Sequence, residues 1–214
     1  FGTFDRASLQ RGFQVYKEVC AACHAVYMLS YRDLKGIGYA EDDIKAIAAQ
    51  AKVMDGPNDA GEMFERAGRP SDKFQRPYAN ENAGRAANNG AYPVDLSMVA
   101  KARVGGPDYV YAVLTGYVPA PAGVTLGDGM HYNAYFPGHQ IAMPAPINVD
   151  GVTYQDGTKA SIEQQSKDVV TFLTWASEPT LEARKQMGVK VLLFLIVLTG
   201  ILYAAKRKVW ASVH

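Results

Sequence analysis

Cysteine is almost absent: the 214 residues hold two, Cys20 and Cys23, both inside the stretch "VCAACHAVY". What is missing around them narrows their use. No second cysteine pair and no close histidine pair occurs, so a zinc site would lack two of its four ligands. No strand pattern leads into them; "SLQRGFQVYKEV" has helical periodicity, against the strand-then-helix context of a thioredoxin-type redox pair. A bridge between the two thiols themselves would close a very small loop, with poor geometry and little chain-entropy gain. The chain also lacks internal repeats, a Gly-rich phosphate loop and a basic nucleic-acid patch, so nothing points to nucleotide chemistry or to nucleic acid as a partner.

Acidic residues are missing from one end. Residues 1–183 carry all 21 acidic side chains and 16 of the 22 basic ones, a balance of −5, whereas residues 184–214 carry six basic residues and no acid, a balance of +6. Long apolar runs are equally scarce, and the one present explains the split. "GVKVLLFLIVLTGILYAA", from Gly188 to Ala205, would span about 27 Å as a helix, close to the hydrocarbon thickness of a bilayer. It is apolar on all sides, unlike an ordinary core helix. Lys190 lies near its start, where the charge can snorkel to the interface. Lys206, Arg207 and Lys208 follow it, with Trp210 suited to the boundary, so this end is expected in the cytoplasm or matrix and the larger part in the periplasm or intermembrane space. Phe1 in place of an initiator methionine suggests that a targeting segment is missing ahead of it.

What is present at the cysteines is Cys-x-x-Cys followed at once by His24. This is the signature of covalent haem attachment: the thiols add across the two vinyl groups, and the histidine falls beneath the iron as its proximal ligand. Haem is attached in the same compartment that the membrane segment implies, so two independent signals agree.

Regular structure is expected in islands. Leu9, Phe13, Tyr16 and Cys20 follow i, i+4, i+7, i+11 and predict a helix that delivers Cys20 at its end. A second helix is expected from about Ser161 to Ser177, opened by a Ser161-x-x-Gln164 capping box, and a shorter one over "DYVYAVLTG" before Gly116. Tyr117 to Gly157 holds 11 glycines and prolines in 41 residues and reads as a long functional loop. The iron's sixth ligand must come from the remaining histidines and methionines. Met28 lies too near His24; Met187 and His214 belong to the membrane end. Met143, flanked by Pro144 and Pro146 in apolar "QIAMPAPI", suits a dry thioether ligand, with His131, His139, Met98 and Met130 as alternatives.

Five stretches in collinear order carry a more specific likeness: "RGFQVYKEVCAACH", "RPYANENAGRAANNGAYPVDLSMVAKAR", "GGPDYVYAVLTGY", "YFPGHQIAMPAPI" and "KDVVTFLTWASEPTLEARKQMG" before the terminal anchor. Over nearly its whole length the chain resembles the cytochrome c1 family, the haem c subunits of quinol–cytochrome c oxidoreductase (bc1) complexes. The resemblance implies a mainly α, class I c-type cytochrome-like haem domain with long irregular loops and one C-terminal transmembrane helix. The implied boundaries are residues 1–183 for the haem domain, 184–208 for the anchor and 209–214 for a short tail. It implies one covalent haem c per chain on Cys20 and Cys23, with His24 and Met143 as axial ligands. Arg103 matches the family's partner for a haem propionate, and Asn88, Ala91, Pro93, Tyr109, Phe136 and Ile141 match pocket-lining positions. One departure is visible: Pro93-Val94 stands where the family usually has Pro-Pro, which leaves that wall of the pocket uncertain.

The implied role is electron transfer in a respiratory or photosynthetic complex, from the Rieske iron–sulfur protein to a cytochrome c, beside cytochrome b in a dimeric assembly. The isolated chain would carry electrons without oxidising quinol. A bacterial inner membrane with the haem domain in the periplasm is the favoured location, with the mitochondrial inner membrane as the alternative. Residues 41–65 hold seven acidic side chains against Lys45 and Lys52, a candidate rim for steering a basic cytochrome c.

Overall fold

The computed structural model describes residues 2–213; Phe1 and His214, which entered the readings of the two termini, lie outside the described residues. In chain order the helices are α1 (Arg6–Glu18), α2 (Glu41–Ala49), α3 (Glu81–Ala87), α4 (Val99–Ala102), α5 (Gly106–Thr115), α6 (Ile162–Ser177) and α7 (Leu181–Trp210). Two small antiparallel pairs join them: β1 (Lys52–Asp55) with β2 (Phe64–Ala67), Lys52 opposite Ala67, and β3 (His131–Tyr132) with β4 (Gln140–Ile141), His131 opposite Ile141. Short 3-10 turns occupy Cys20–Ala22 and Tyr31–Ile37. The chain divides into one unit over Phe4–Glu178 and another that takes in everything from Pro179 onward.

The first unit is built on the packing of α1 against α6. Each begins on a side-chain cap: the Asp5 carboxylate accepts from Ala7 N at 3.0 Å, and Ser161 Oγ accepts from Gln164 N at 3.2 Å, at the residue where the sequence places its capping box. Their facing side chains, Leu9, Phe13 and Tyr16 with Val169, Phe172 and Leu173, are buried. Phe13 and Tyr16 each stack on Phe172 with ring centroids 5.6 Å apart, and Trp175 follows at 5.9 Å from Phe172. Gly12 sets how close the helices come: a Cβ there would stand 2.0 Å from the Asp168 carbonyl oxygen. Only hydrogen fits.

A buried polar knot fixes the register of that crossing. Asp168, with no exposed surface, accepts from Ser8 Oγ at 2.6 Å, from Arg11 Nε and Nη2 at 2.9 and 3.1 Å, and from Gln164 Nε2 at 2.9 Å. Both carboxylate oxygens are saturated, which is the condition for a charge to lie inside a core. Helices α4 and α5 also pack on α6, so the elements flanking the candidate site share one support.

The mainly α expectation holds, with differences at element ends and in the middle of the chain. Helix α1 stops at Glu18, and Cys20 opens the 3-10 turn that follows rather than ending the helix itself. Helix α5 starts at Gly106, two residues before "DYVY", because Gly105 and Gly106 take left-handed backbone angles of +84° and +54° and Pro107 fits the first turn. The loop from Tyr117 to Gly157 contains the short β3–β4 pair. The second unit's α7 is 30 residues long, with a mean hydropathy of 2.2 over its most apolar window and an exposed surface along its length; among the described residues it is the one helix long and apolar enough to cross a membrane.

Candidate haem site

The proximal half is built where the turn after α1 meets residues 94–97. His24 N donates to Cys20 O at 2.8 Å and Cys23 N to the same carbonyl at 3.1 Å, which closes the two cysteines and the histidine into one tight turn. The facing strip is laced to it: Leu96 N donates to Ala25 O at 2.7 Å, Tyr27 N to Asp95 Oδ2 at 3.2 Å and Met28 N to Ser97 Oγ at 3.1 Å. His24 Nδ1 lies 2.7 Å from Val94 O. A carbonyl only accepts, so Nδ1 carries the proton and Nε2 keeps its lone pair. Burial lowers the His24 pKa against the opposing pull of Val94 O and Asp95, which keeps the ring neutral at pH 7.

Those features suit a haem c. Cys20 and Cys23 are free thiols, and burial, with a smaller contribution from Cys23, pushes the Cys20 thiol up to about 12. A neutral imidazole with its outer nitrogen fixed is the form that binds iron. Among the described residues, no three His, Cys, Asp or Glu side chains converge. At the Pro93-Val94 departure, His24 uses the carbonyl of Val94, which any residue supplies, while the valine side chain is 42% exposed.

The other half hangs from the C-terminal end of α5. Met143, partly buried, follows β4, and its carbonyl accepts from Tyr117 Oη at 3.0 Å. Ile141 is buried in β4, and Phe136 is partly buried, its N–H donating to Asn133 Oδ1 at 3.1 Å. Tyr109 is partly buried in the first turns of α5. Asn88, at the end of α3, turns its amide nitrogen to Tyr78 Oη at 2.9 Å and Gly84 O at 2.7 Å, and Ala91 N donates back to Asn88 O at 2.9 Å; Ala91 and Pro93 are partly buried. Arg103 is exposed just after α4 and makes no ion pair among the described residues. Its charge is uncommitted.

The alternative ligands are placed differently. His139 is exposed, its Nδ1 3.2 Å from Asn133 O and its ring stacked on Tyr132 at 5.7 Å. His131 is exposed in β3, Met98 is 38% exposed where α4 begins, and Met130 is partly exposed with its Cγ packed near Gly127. Three contributors escaped the sequence reading. Val94 acts through a carbonyl, which no residue type announces; Asn133 and Tyr117 act through loop hydrogen bonds that no motif marks, to Val113 O and Met143 O among others.

Comparison with known proteins gives the family of the chain. A model of the Cytochrome C1 family matches residues 1–213. The chain is 53% identical over 211 residues to "Cytochrome c1 1, heme protein, mitochondrial" of Arabidopsis thaliana, covering 98% of this chain and 68% of that protein. It is 48% identical over 214 residues to "Cytochrome b-c1 complex catalytic subunit, mitochondrial" of Candida albicans, covering all of this chain and 74% of that one. It is 50% identical over 236 residues to "Cytochrome b/c1" of Bradyrhizobium diazoefficiens, of which it covers 34%. The mainly α unit with its Cys-x-x-Cys-His turn fits a class I cytochrome-like domain, and the chain belongs to the cytochrome c1 family of haem electron-transfer subunits.

Proposed function

We propose that this chain is the terminal electron relay of a quinol–cytochrome c oxidoreductase, taking an electron from the Rieske iron–sulfur protein and handing it to a cytochrome c. One haem c would be held covalently by Cys20 and Cys23, with His24 and Met143 as axial ligands. The observation that carries the reading is the His24 ring, neutral and aimed by the Val94 carbonyl, one residue beyond two free thiols. When bound, the haem supplies a one-electron couple whose potential a thioether ligand raises relative to two nitrogens.

The residues of the chain do the rest. His24 and Met143 would hold the iron between them, which would leave it no position for substrate or gas. Arg103, unpaired and exposed, is available to a propionate as a planar charge-assisted donor. Asn88, Ala91, Pro93, Tyr109, Phe136 and Ile141 line the pocket and exclude water. Residues 1–183 would form the haem domain on the periplasmic face of a bacterial inner membrane, or the intermembrane-space face of the mitochondrial one. Residues 184–208 would be the single-pass anchor beside cytochrome b in a dimeric complex, and 209–214 a cytoplasmic tail. Quinol oxidation belongs to other subunits.

The acidic segment would guide the outgoing partner, and the structure narrows which carboxylates are free to do so. Lys52 pairs with Glu65 at 3.3 Å, Lys35 with Glu41 at 3.1 Å, and Arg66 pairs with Asp55 and Asp72. Asp59 and Glu62, in the turn between β1 and β2, are exposed and have no salt bridge among the described residues. They are the strongest candidates for steering.

The test is the optical spectrum and redox titration of the wild type beside Met143→Leu. Loss of the sulfur-to-iron charge-transfer band, a fall in potential and gain of carbon monoxide binding are expected. A variant that keeps all three wild-type properties would move the sixth ligand elsewhere.

A further inference from the structure

The methionine segment belongs to a 41-residue stretch, Tyr117 to Gly157, rich in glycine and proline, and such a chain needs pins to hold one residue in place. Two side chains outside the ligand set supply them. Asn133 is fully buried, and each polar atom of its amide is used: Nδ2 donates to Val113 O at 2.8 Å, and Oδ1 accepts from the N–H groups of Tyr135 and Phe136 at 3.0 and 3.1 Å. Its own N–H donates to His139 O at 3.0 Å, while Ala134 N donates to Gly116 O at 2.9 Å. The turn is thereby pressed onto the end of α5. A Cβ at Gly116 would lie 2.7 Å from both Ala112 O and the Tyr135 ring, so a larger residue there would push the loop away.

Tyr117 is the second pin, and it hydrogen-bonds to residue 143 itself. It leaves α5 beside Gly116, forms an isolated bridge with Asn133, and reaches across to donate from Oη to the Met143 carbonyl at 3.0 Å. The aromatic ring is half-buried, and burial pushes its hydroxyl up to about 12, so the donor keeps its proton throughout the neutral range. The ring is rigid and α5 is packed on α4 and α6, so this hydrogen bond connects the backbone of residue 143 to the helical support.

We propose that Tyr117 is a positioning residue for the sixth ligand: by fixing the Met143 carbonyl it favours the loop conformation in which the thioether serves as an axial ligand over the conformation in which it swings away. The inference rests on Met143 being that ligand. It makes Tyr117 a determinant of how often the sixth position opens, with no contact to the haem required of it.

The experiment is an imidazole titration of the oxidised, detergent-solubilised holoprotein, because an external ligand binds with an apparent affinity scaled by the open fraction. Tyr117→Phe keeps the ring and removes one hydrogen bond, so imidazole is expected to bind about fivefold tighter, the shift that follows from losing one neutral hydrogen bond. The charge-transfer band should weaken in parallel. In a Met143→Leu background, where the position is already open, adding Tyr117→Phe should leave imidazole affinity unchanged. Wild-type affinity in Tyr117→Phe overturns the proposal, as does an equal gain in both backgrounds, which would place the effect on the pocket and not on the methionine segment. If Met143→Leu alone keeps the band and refuses imidazole, the ligand assignment fails and takes the proposal with it, a result distinct from the other two.

Discussion

Replacing Gly12 by alanine probes the contact on which the haem domain is built. Alanine is ordinarily the better helix former by about 1 kcal/mol, so a helix considered alone would gain stability. At this crossing the new Cβ would stand 2.0 Å from the Asp168 carbonyl oxygen and 2.8 Å from Phe172 Cβ. Restoring even a tight contact requires α1 and α6 to separate by about 1 Å, and a gap of that size forfeits at least a quarter of the attraction between facing atoms. Six buried side chains, Leu9, Phe13, Tyr16, Val169, Phe172 and Leu173, meet there. At about 2 kcal/mol each, a quarter lost is about 3 kcal/mol, so the crossing outweighs propensity and leaves a net cost of about 2 kcal/mol. For a chain of this size the thermal midpoint of the detergent-solubilised holoprotein should fall by about 4–8 °C. A midpoint equal to or above that of the wild type would show that the helices move apart without loss, and the account of the core would be wrong.

The buried knot beside that crossing should be as sensitive. Asp168→Asn removes the charge facing Arg11 and turns a donor toward donors, an expected loss of about 3–5 kcal/mol in denaturant melts, while the pair Arg11→Met with Asp168→Leu should be milder than the single change. Acid should loosen the β1–β2 hairpin before the core. The hydrogen bond from Arg66 holds Asp72 down to about 2 against an ordinary 3.8, so its contribution is present above pH 4 and is lost as the pH falls toward 2. Amide exchange in residues 52–67 should therefore accelerate over that window, and equal protection at pH 5 and pH 2 would refute the link. Neutralising Asp59 and Glu62 should slow association with a basic cytochrome c at low salt and flatten its salt dependence, whereas Glu65→Gln, which removes a carboxylate already paired with Lys52, should do less. Stopped-flow rates that do not change with either substitution would remove the segment from the docking surface.

Local signals were legible where they suffice. The periodicity of Leu9, Phe13 and Tyr16, and the capping pattern at Ser161, found α1 and α6 because amphipathic spacing and end chemistry are carried by neighbouring residues. The five-residue attachment motif stands out for the same reason, its residues being sequence neighbours. Helices α2, α3 and α4 were not anticipated: they run for nine, seven and four residues, too short to display a convincing period, and α2 and α4 hold their shape through the elements they pack on. The β1–β2 hairpin was also missed, since its strands are mostly exposed and show no clean alternation. In the candidate site the motif residues stand out by type, whereas Val94, which acts through a carbonyl, and Asn133 and Tyr117, which act through loop hydrogen bonds, do not. Val94 illustrates the difference, because the sequence showed an unusual residue at a doubtful wall while the structure uses only its carbonyl.

The two segments proposed to carry the iron's ligands differ in how they are secured. His24 sits six residues beyond the end of α1, inside a turn closed on Cys20 and laced to residues 94–97 by four hydrogen bonds, so freeing it means unravelling the end of a core helix. Met143 stands 28 residues past the end of α5, and its own backbone is tied back to that helix by one tyrosine hydroxyl. Local opening follows the fewest restraints, and the methionine side has fewer. Loss of ligation under mild heat or denaturant should therefore begin at Met143 with His24 and the α1–α6 crossing intact, so the charge-transfer band disappears before far-UV helicity does. Coincident loss of the two signals would mean that the loop and the helical core unfold as one.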